Sequence, residues 1–107
     1  MKEELIRTAR LLGTDALERL SRTRVAIFGV GGVGGYVAEA LARAGVGNFD
    51  LIDKDRVSLS NINRQIIALH STVGRPKVEV AKERILDINP DACVVAHEVF
   101  FLPESAG

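Results

Sequence analysis

The chain has 107 residues, enough for one small domain that buries only roughly two thirds of its unfolded surface. It is 47% hydrophobic and 26% charged, and its 14 basic and 14 acidic residues cancel, which excludes a global field steering it to nucleic acid or an anionic membrane. The lone Cys93 excludes an internal disulfide framework and a cysteine-based zinc site.

In chain order, residues 3 to about 20 read as helix, with Leu5, Leu12 and Leu20 among the apolar positions and Gly13 breaking or bending it. The run from Arg24 to Val30 is continuously apolar and ends in glycines, the pattern of a buried parallel strand. A helix is expected from Val33 to Ala44 with Val33, Val37, Leu41 and Ala44 on its inner face and Gly45 as C-cap. Residues 48–53 form a second strand. Pro76 then suits the first turn of a helix to Ile88, with Val78, Ala81, Ile85 and Ile88 inward and Asn89-Pro90 as its stop. A third strand runs from Cys93 to about Phe100, and Cys93, set in an apolar run, is expected to be a core thiol.

The order α-β-α-β-α-β, with a long connection from Lys54 to Arg75, gives the first mononucleotide-binding half of a Rossmann-like parallel sheet preceded by an N-terminal helix. Successive crossovers in one direction put both helices on one face. The strands look apolar on both sides, so the other face needs a cover, partly from the amino-terminal helix. The chain therefore reads as a single unit, 1–107, that is part of a longer domain or an obligate oligomer.

Gly29-Val30-Gly31-Gly32-Val33-Gly34-Gly35 satisfies G-x-G-x-x-G between a strand and a helix. Gly29 permits the turn, Gly31 lets backbone approach phosphate and Gly34 allows close helix–strand packing. The helix start at Gly32–Gly34 offers free N–H groups to an anion. Asp53 falls at the end of the second strand, about 20 residues on, where a carboxylate accepts ribose hydroxyls. These features alone do not separate NAD from ATP.

The next segment carries Asp53-Lys54-Asp55, then Ser60-Asn61-Ile62-Asn63-Arg64-Gln65, then Gly74-Arg75-Pro76-Lys77. A simple dehydrogenase has no need of such a cluster, whereas three phosphates do. Arg64 suits two-pronged phosphate contact and Lys77 supplies a point charge near a helix start. Asn61 and Gln65 suit bonds to ribose, phosphate or a backbone turn. Asp53 and Asp55 do not by themselves make a magnesium site, and no metal ligand is assigned. His70 and His97 lack a paired base or nucleophile, and His97 reads as structural. Phe49, Phe100 and Phe101 read as core or interface.

The stretches AGVGNFDLIDKDRVSLSNINRQ and VGRPKVEVAKERILDINP, after the glycine loop, resemble the adenylation domain of the ThiF/MoeB and ubiquitin-activating family over Arg24 to Pro90. The resemblance implies an enzyme that binds Mg-ATP, activates a carboxylate as an acyl-adenylate and expels pyrophosphate. It implies that Gly29, Gly31, Gly32 and Gly34 cradle the nucleotide, that Asp53 binds ribose, and that Asp55, Ser60, Asn61, Asn63, Arg64, Gln65 and Lys77 line the site. Arg64 and Lys77 would act on the phosphates, joined by an amino-terminal arginine across a homodimer, with Arg10 the best match and Arg7 the alternative. The family's magnesium-binding aspartate would fall past Gly107, so full activity is not expected of these residues alone.

A narrower resemblance is to the tRNA threonylcarbamoyladenosine dehydratase branch. It rests on Arg10-Leu11-Leu12-Gly13, Asn63-Arg64-Gln65-Ile66 and Ala68-Leu69, and on the short distance from Arg10 to the first strand. It implies a modified tRNA as substrate, cyclised with net loss of water and without a protein thioester. Three other readings stay open to the residues. They are an adenylyltransferase for a ubiquitin-like sulfur carrier with a sulfur-transfer protein partner, an NAD-dependent oxidoreductase, and an inactive assembly subunit. No run approaches the ~18 apolar residues of a membrane span, and Met1-Lys2-Glu3-Glu4 lacks a signal peptide's apolar core. The expected location is cytoplasmic.

Overall fold

The computed structural model describes residues 13–99. The elements are α1 (Thr14–Arg22), β1 (Arg24–Phe28), α2 (Gly32–Ala44), β2 (Asn48–Ile52), a short 3₁₀ turn (Leu59–Asn61), α3 (Lys77–Ile88) and β3 (Cys93–His97). Their order is the one expected, and the predicted Rossmann-like half-sheet is present. Gly13, at φ 87°, stands just before α1, where the long amino-terminal helix was expected to break. Leu5 and Leu12 lie outside the described residues, as do Phe100 and Phe101.

The three strands are parallel in the order β1-β2-β3, with Arg24, Asn48 and Cys93 level at one end and Phe28, Ile52 and His97 at the other. Helices α2 and α3 pack together on one face, giving a slab only 19 Å through its thinnest dimension. Two layers are what right-handed crossovers in one direction produce. The core lies between them: Phe49 and Leu51 of β2, Ile27 of β1, Val94 of β3, and Val78, Ala81 and Ile85 of α3. Ile88 packs against the edge of that cluster, so the predicted inner face of α3 holds.

The predicted inner face of α2 holds only in part. Leu41 packs against the core, but Val33 is 80% exposed and Val37 is also exposed, while Gly35, Ala38 and Ala42 are the buried positions. The reason is closeness. A Cβ on Gly34 would fall 1.7 Å from the Gly29 carbonyl oxygen, and one on Gly35 would fall 2.6 Å from that of Val30. A helix this near its strand can turn only small residues toward it. The larger apolar side chains go outward.

Cys93 is likewise exposed, not a core thiol. Alternation along β3 sends Val94 inward and Cys93 and Val95 to the open face. That face is not uniformly apolar. Beside Ala26, Phe28 and Val95 it carries Arg24, Asp50 and His97, with Arg24 Nε donating to Asp50 Oδ2 at 2.6 Å and His97 Nε2 3.2 Å from Asp50 Oδ1. His97 is structural, as expected. Helix α1 does not cover this face. Its Leu20 packs toward the core and its Leu20 carbonyl accepts the Gly47 N–H.

Candidate functional site

The glycine loop leaves β1 after Phe28, and Gly29 N–H donates to the Ile52 carbonyl at 2.8 Å, extending the ladder by one step. Gly29 then turns at φ 85°, a region open to glycine at no cost. Helix α2 begins at Gly32 with no side-chain cap and no acid in its first turn. Its first N–H groups are thus unclaimed by capping side chains, and they carry the positive end of the helix dipole.

Asp53 follows β2 directly. Its Oδ2 accepts the Val30 N–H at 3.0 Å and its Oδ1 the Asp55 N–H at 2.9 Å. One carboxylate thereby fixes the glycine loop to the start of the long connection. Each oxygen retains a further lone pair for a hydroxyl. Around this joint Phe28, Gly29, Ile52, Asp53, Lys54, Asp55 and Val99 line a hollow of about 190 Å³ at the carboxyl ends of β1 and β2. Phe28, Ile52, Lys54 and Val99 were not singled out from the sequence. That strand-end position, where open α/β sheets bind ligands, is the signal that would have found them.

The connection itself is a closed loop. Val57 N–H donates to the Arg75 carbonyl at 2.9 Å, Gly74 N–H to Val57 at 2.8 Å and Lys77 N–H to Asp55 at 3.0 Å. Arg56 adds a bond from Nη1 to the Gly74 carbonyl and an ion pair with Glu98. The first residue of α3 is therefore fastened to Asp55, close after Asp53 in the chain, although 23 residues lie between Asp53 and Lys77. Lys77 as a whole residue is only 7% exposed.

Inside the loop, Asn61 is buried and its Oδ1 accepts the Ser58 N–H at 2.9 Å, completing a reciprocal cap of the 3₁₀ turn. Of the roles open to Asn61, the backbone turn is the one its oxygen takes. Ser60 is exposed and its hydroxyl meets that of Ser58 at 3.0 Å. Arg64 is exposed and folded onto its own turn, with Nη1 donating to the Ser60 carbonyl at 2.9 Å and to Asn63 Oδ1 at 3.1 Å. Gln65 lies against Gly31, its Oε1 buried without a donor. The geometry thus joins the glycine loop, Asp53, Asp55, Gln65 and Lys77 through direct contacts. Arg64 and Asn63 sit one turn away on the same segment, His70 is exposed in the connection, and Arg10 and Arg7 lie outside the described residues.

A second hollow of about 220 Å³, lined by Ile66, Leu69, Thr72, Val80, Glu83 and Asp87 among others, opens between the connection and α3. It contains none of these groups. Size does not choose between the two; the strand-end position and the Asp53 carboxylate do.

A parallel half-sheet with a glycine loop, a strand-end carboxylate and a buried lysine meeting at the strands' carboxyl ends defines a mononucleotide-binding unit of Rossmann type. Within that class the chain belongs to the ThiF family, whose model matches residues 3–106. It is 50% identical over 105 residues to a tRNA threonylcarbamoyladenosine dehydratase of Bacillus subtilis, covering 98% of this chain and 41% of that protein. It is 48% identical over 80 residues to the molybdopterin-synthase adenylyltransferase of Escherichia coli, covering 75% of this chain and 32% of that protein. Among solved structures, the E. coli tRNA N6-threonylcarbamoyladenosine dehydratase in complex with ATP superposes with a TM-score of 0.93 at 45% identity, over 96% of this chain and 42% of the other. The chain spans about two fifths of the length of these dehydratases. Among the described residues no helix is long and apolar enough to cross a membrane.

Proposed function

We propose that the chain is the nucleotide-binding part of an ATP-dependent adenylating enzyme, and that the carboxylate activated is the threonylcarbamoyl group of a modified tRNA. The observation that carries the nucleotide assignment is Asp53, whose two carboxylate oxygens tie the glycine loop, with the uncapped start of α2, to the segment that fastens Lys77. One cation and one helix start facing a strand-end carboxylate fit a ligand with an anionic end and a hydroxylated end, as ATP has. Bound there, ATP supplies the adenylyl group that activates a carboxylate, with pyrophosphate leaving.

In this reading Asp53 accepts ribose hydroxyls with the lone pairs its two backbone donors leave free. The N–H groups of Gly32 onward and the Lys77 ammonium meet phosphate oxygens. Arg64 turns from its own carbonyl contacts to the phosphates, so negative charge gathering at the α-phosphorus is met by fixed donors. Arg10 from a second copy, and magnesium held by an aspartate past Gly107, complete the proposal. The tRNA assignment follows the order of identity: over 98% of the chain the Bacillus subtilis dehydratase is 50% identical and a sulfur carrier protein adenylyltransferase of Thermus thermophilus 39%. An NAD-dependent oxidoreductase leaves Lys77 and Arg64 without a task.

Calorimetric titration of the protein extended to its complete domain, with Mg-ATP and separately with NAD, tests this. ATP is expected to bind, and Arg64→Ala and Lys77→Ala are each expected to weaken it about tenfold to a hundredfold, the worth of a hydrogen bond to a charged group. Binding of NAD in place of ATP would overturn the reading.

A further inference from the structure

The glycines of the loop exclude side chains for different reasons. Gly34 and Gly35 would collide with backbone carbonyls, while Gly29 and Gly32 meet nothing within 4 Å but turn at positive φ. Gly31 differs from all of these. Its φ of −82° is open to any residue, yet a Cβ there would lie 2.5 Å from Gln65 Oε1, 2.8 Å from Cδ and 3.0 Å from Nε2. The end of a side chain, not backbone, is what a methyl group at this position would meet and have to displace.

Gln65 is itself anchored. Its N–H donates to the Asn61 carbonyl at 2.9 Å and its carbonyl accepts from Ala68 at 3.0 Å. Its Oε1 is buried with no donor among the described residues, an arrangement polar groups normally avoid. The contact of the carboxamide is with Gly31.

We propose that Gln65 is a positioning residue whose carboxamide seats the glycine loop at a fixed separation from the turn bearing Asn61 and Arg64. The two phosphate-facing halves of the site are then held as one unit. The inference rests on the nucleotide reading above and deepens it: Gln65 acts through Gly31, not through the nucleotide.

The test uses the full-length protein carrying Gly31→Ala, Gln65→Ala, both together, or Gln65→Met. Each variant is measured by thermal denaturation without nucleotide and by calorimetric titration with Mg-ATP. Gly31→Ala must displace that side-chain end and is expected to lower the melting temperature by about 2 °C and ATP affinity about threefold. The double variant is expected to recover most of both losses, because the new methyl enters space the carboxamide has left. Gln65→Ala is expected to lower ATP affinity, and Gln65→Met, similar in length and without the amide, to recover most of that loss. Absence of recovery in the double variant overturns the proposal. So does a Gln65→Met protein as weak as Gln65→Ala, which would make the amide a direct nucleotide contact. If the wild type binds no ATP and the melting temperatures still show recovery, adenylation fails while the seating of Gly31 on Gln65 stands.

Discussion

Asp53 engages both of its carboxylate oxygens with backbone N–H groups, one from the glycine loop and one from the chain just beyond it. An amide in its place offers a single acceptor, so Asp53→Asn turns an NH₂ toward one of those N–H groups. The expected cost is about 1–3 kcal/mol of stability, the penalty of one partly buried donor left unmade. Chemical denaturation of the two proteins would measure it, and an unchanged midpoint would show that the joint at Val30 is not held by this residue. Lys77 predicts a different balance. Lys77→Met keeps an apolar stem of similar length at this buried position and is expected to change the stability of the nucleotide-free protein by about 0.5 kcal/mol or less while weakening ATP binding about tenfold to a hundredfold. A strongly destabilised Lys77→Met protein would mean that the ammonium already has its partner. Residue types and spacing were enough to nominate Asp53, Arg64 and Lys77. Burial was not legible, because nothing in Pro76-Lys77-Val78 says which way the lysine goes. Helix α3 buries Lys77 itself along with Val78.

At the scale of elements, α2 and α3 are joined by Glu39, which accepts from Arg43 on its own helix and from Arg84 on the next. Those hydrogen bonds, Arg84's first, hold the Glu39 carboxyl below its ordinary range. A depressed folded pKa contributes stability above the unfolded value, about 4.3, and that contribution is lost as pH falls through the folded pKa. Glu39→Gln is therefore expected to cost about 1 kcal/mol or less at neutral pH, since both arginines are well exposed. It should also flatten the fall in stability below about pH 4. Urea midpoints measured at pH 7 and pH 3.5 would decide this, and equal losses at both would remove the ion pairs from the account. Element boundaries were largely legible in the sequence, since glycines, Pro76 and Asn89 punctuate apolar runs. The inner face of α2 was legible only in part. Large apolar residues usually mark the buried side of a helix, but Gly34 and Gly35 bring this one too close to β1 for any but small ones.

At the scale of the molecule, one sheet face is covered by helices and the other holds Val95 and Phe28 exposed beside the Arg24–Asp50–His97 cluster. Continuous apolar strands suggested two buried faces. The pleat shows otherwise, because in a short run such as Cys93-Val94-Val95-Ala96 hydrophobicity alone does not reveal which parity points inward. An uncovered face of this kind tends to associate. Sedimentation of the 107-residue chain is expected to show concentration-dependent self-association that Val95→Lys reduces. A monomer at every concentration would show that the polar cluster already suffices to keep the face apart.

The pinned connection between β2 and α3 behaves like the stem and loop of a folded nucleic acid. Its stem is the set of bonds joining Asp55, Arg56 and Val57 to Gly74, Arg75 and Lys77. Its far end, around the exposed His70 and Ser71, lies beyond both the stem and the Asn61–Gln65 turn. Residues gained or lost at that tip would break the bonds between Leu69 and Thr72 that close it, yet leave Lys77 fastened to Asp55, because the stem is closed by a separate set of bonds. The fold thus separates the part of the connection that must keep its register from a part whose changes stay local, which lets the chain diversify its outer surface without disturbing the groups at its centre.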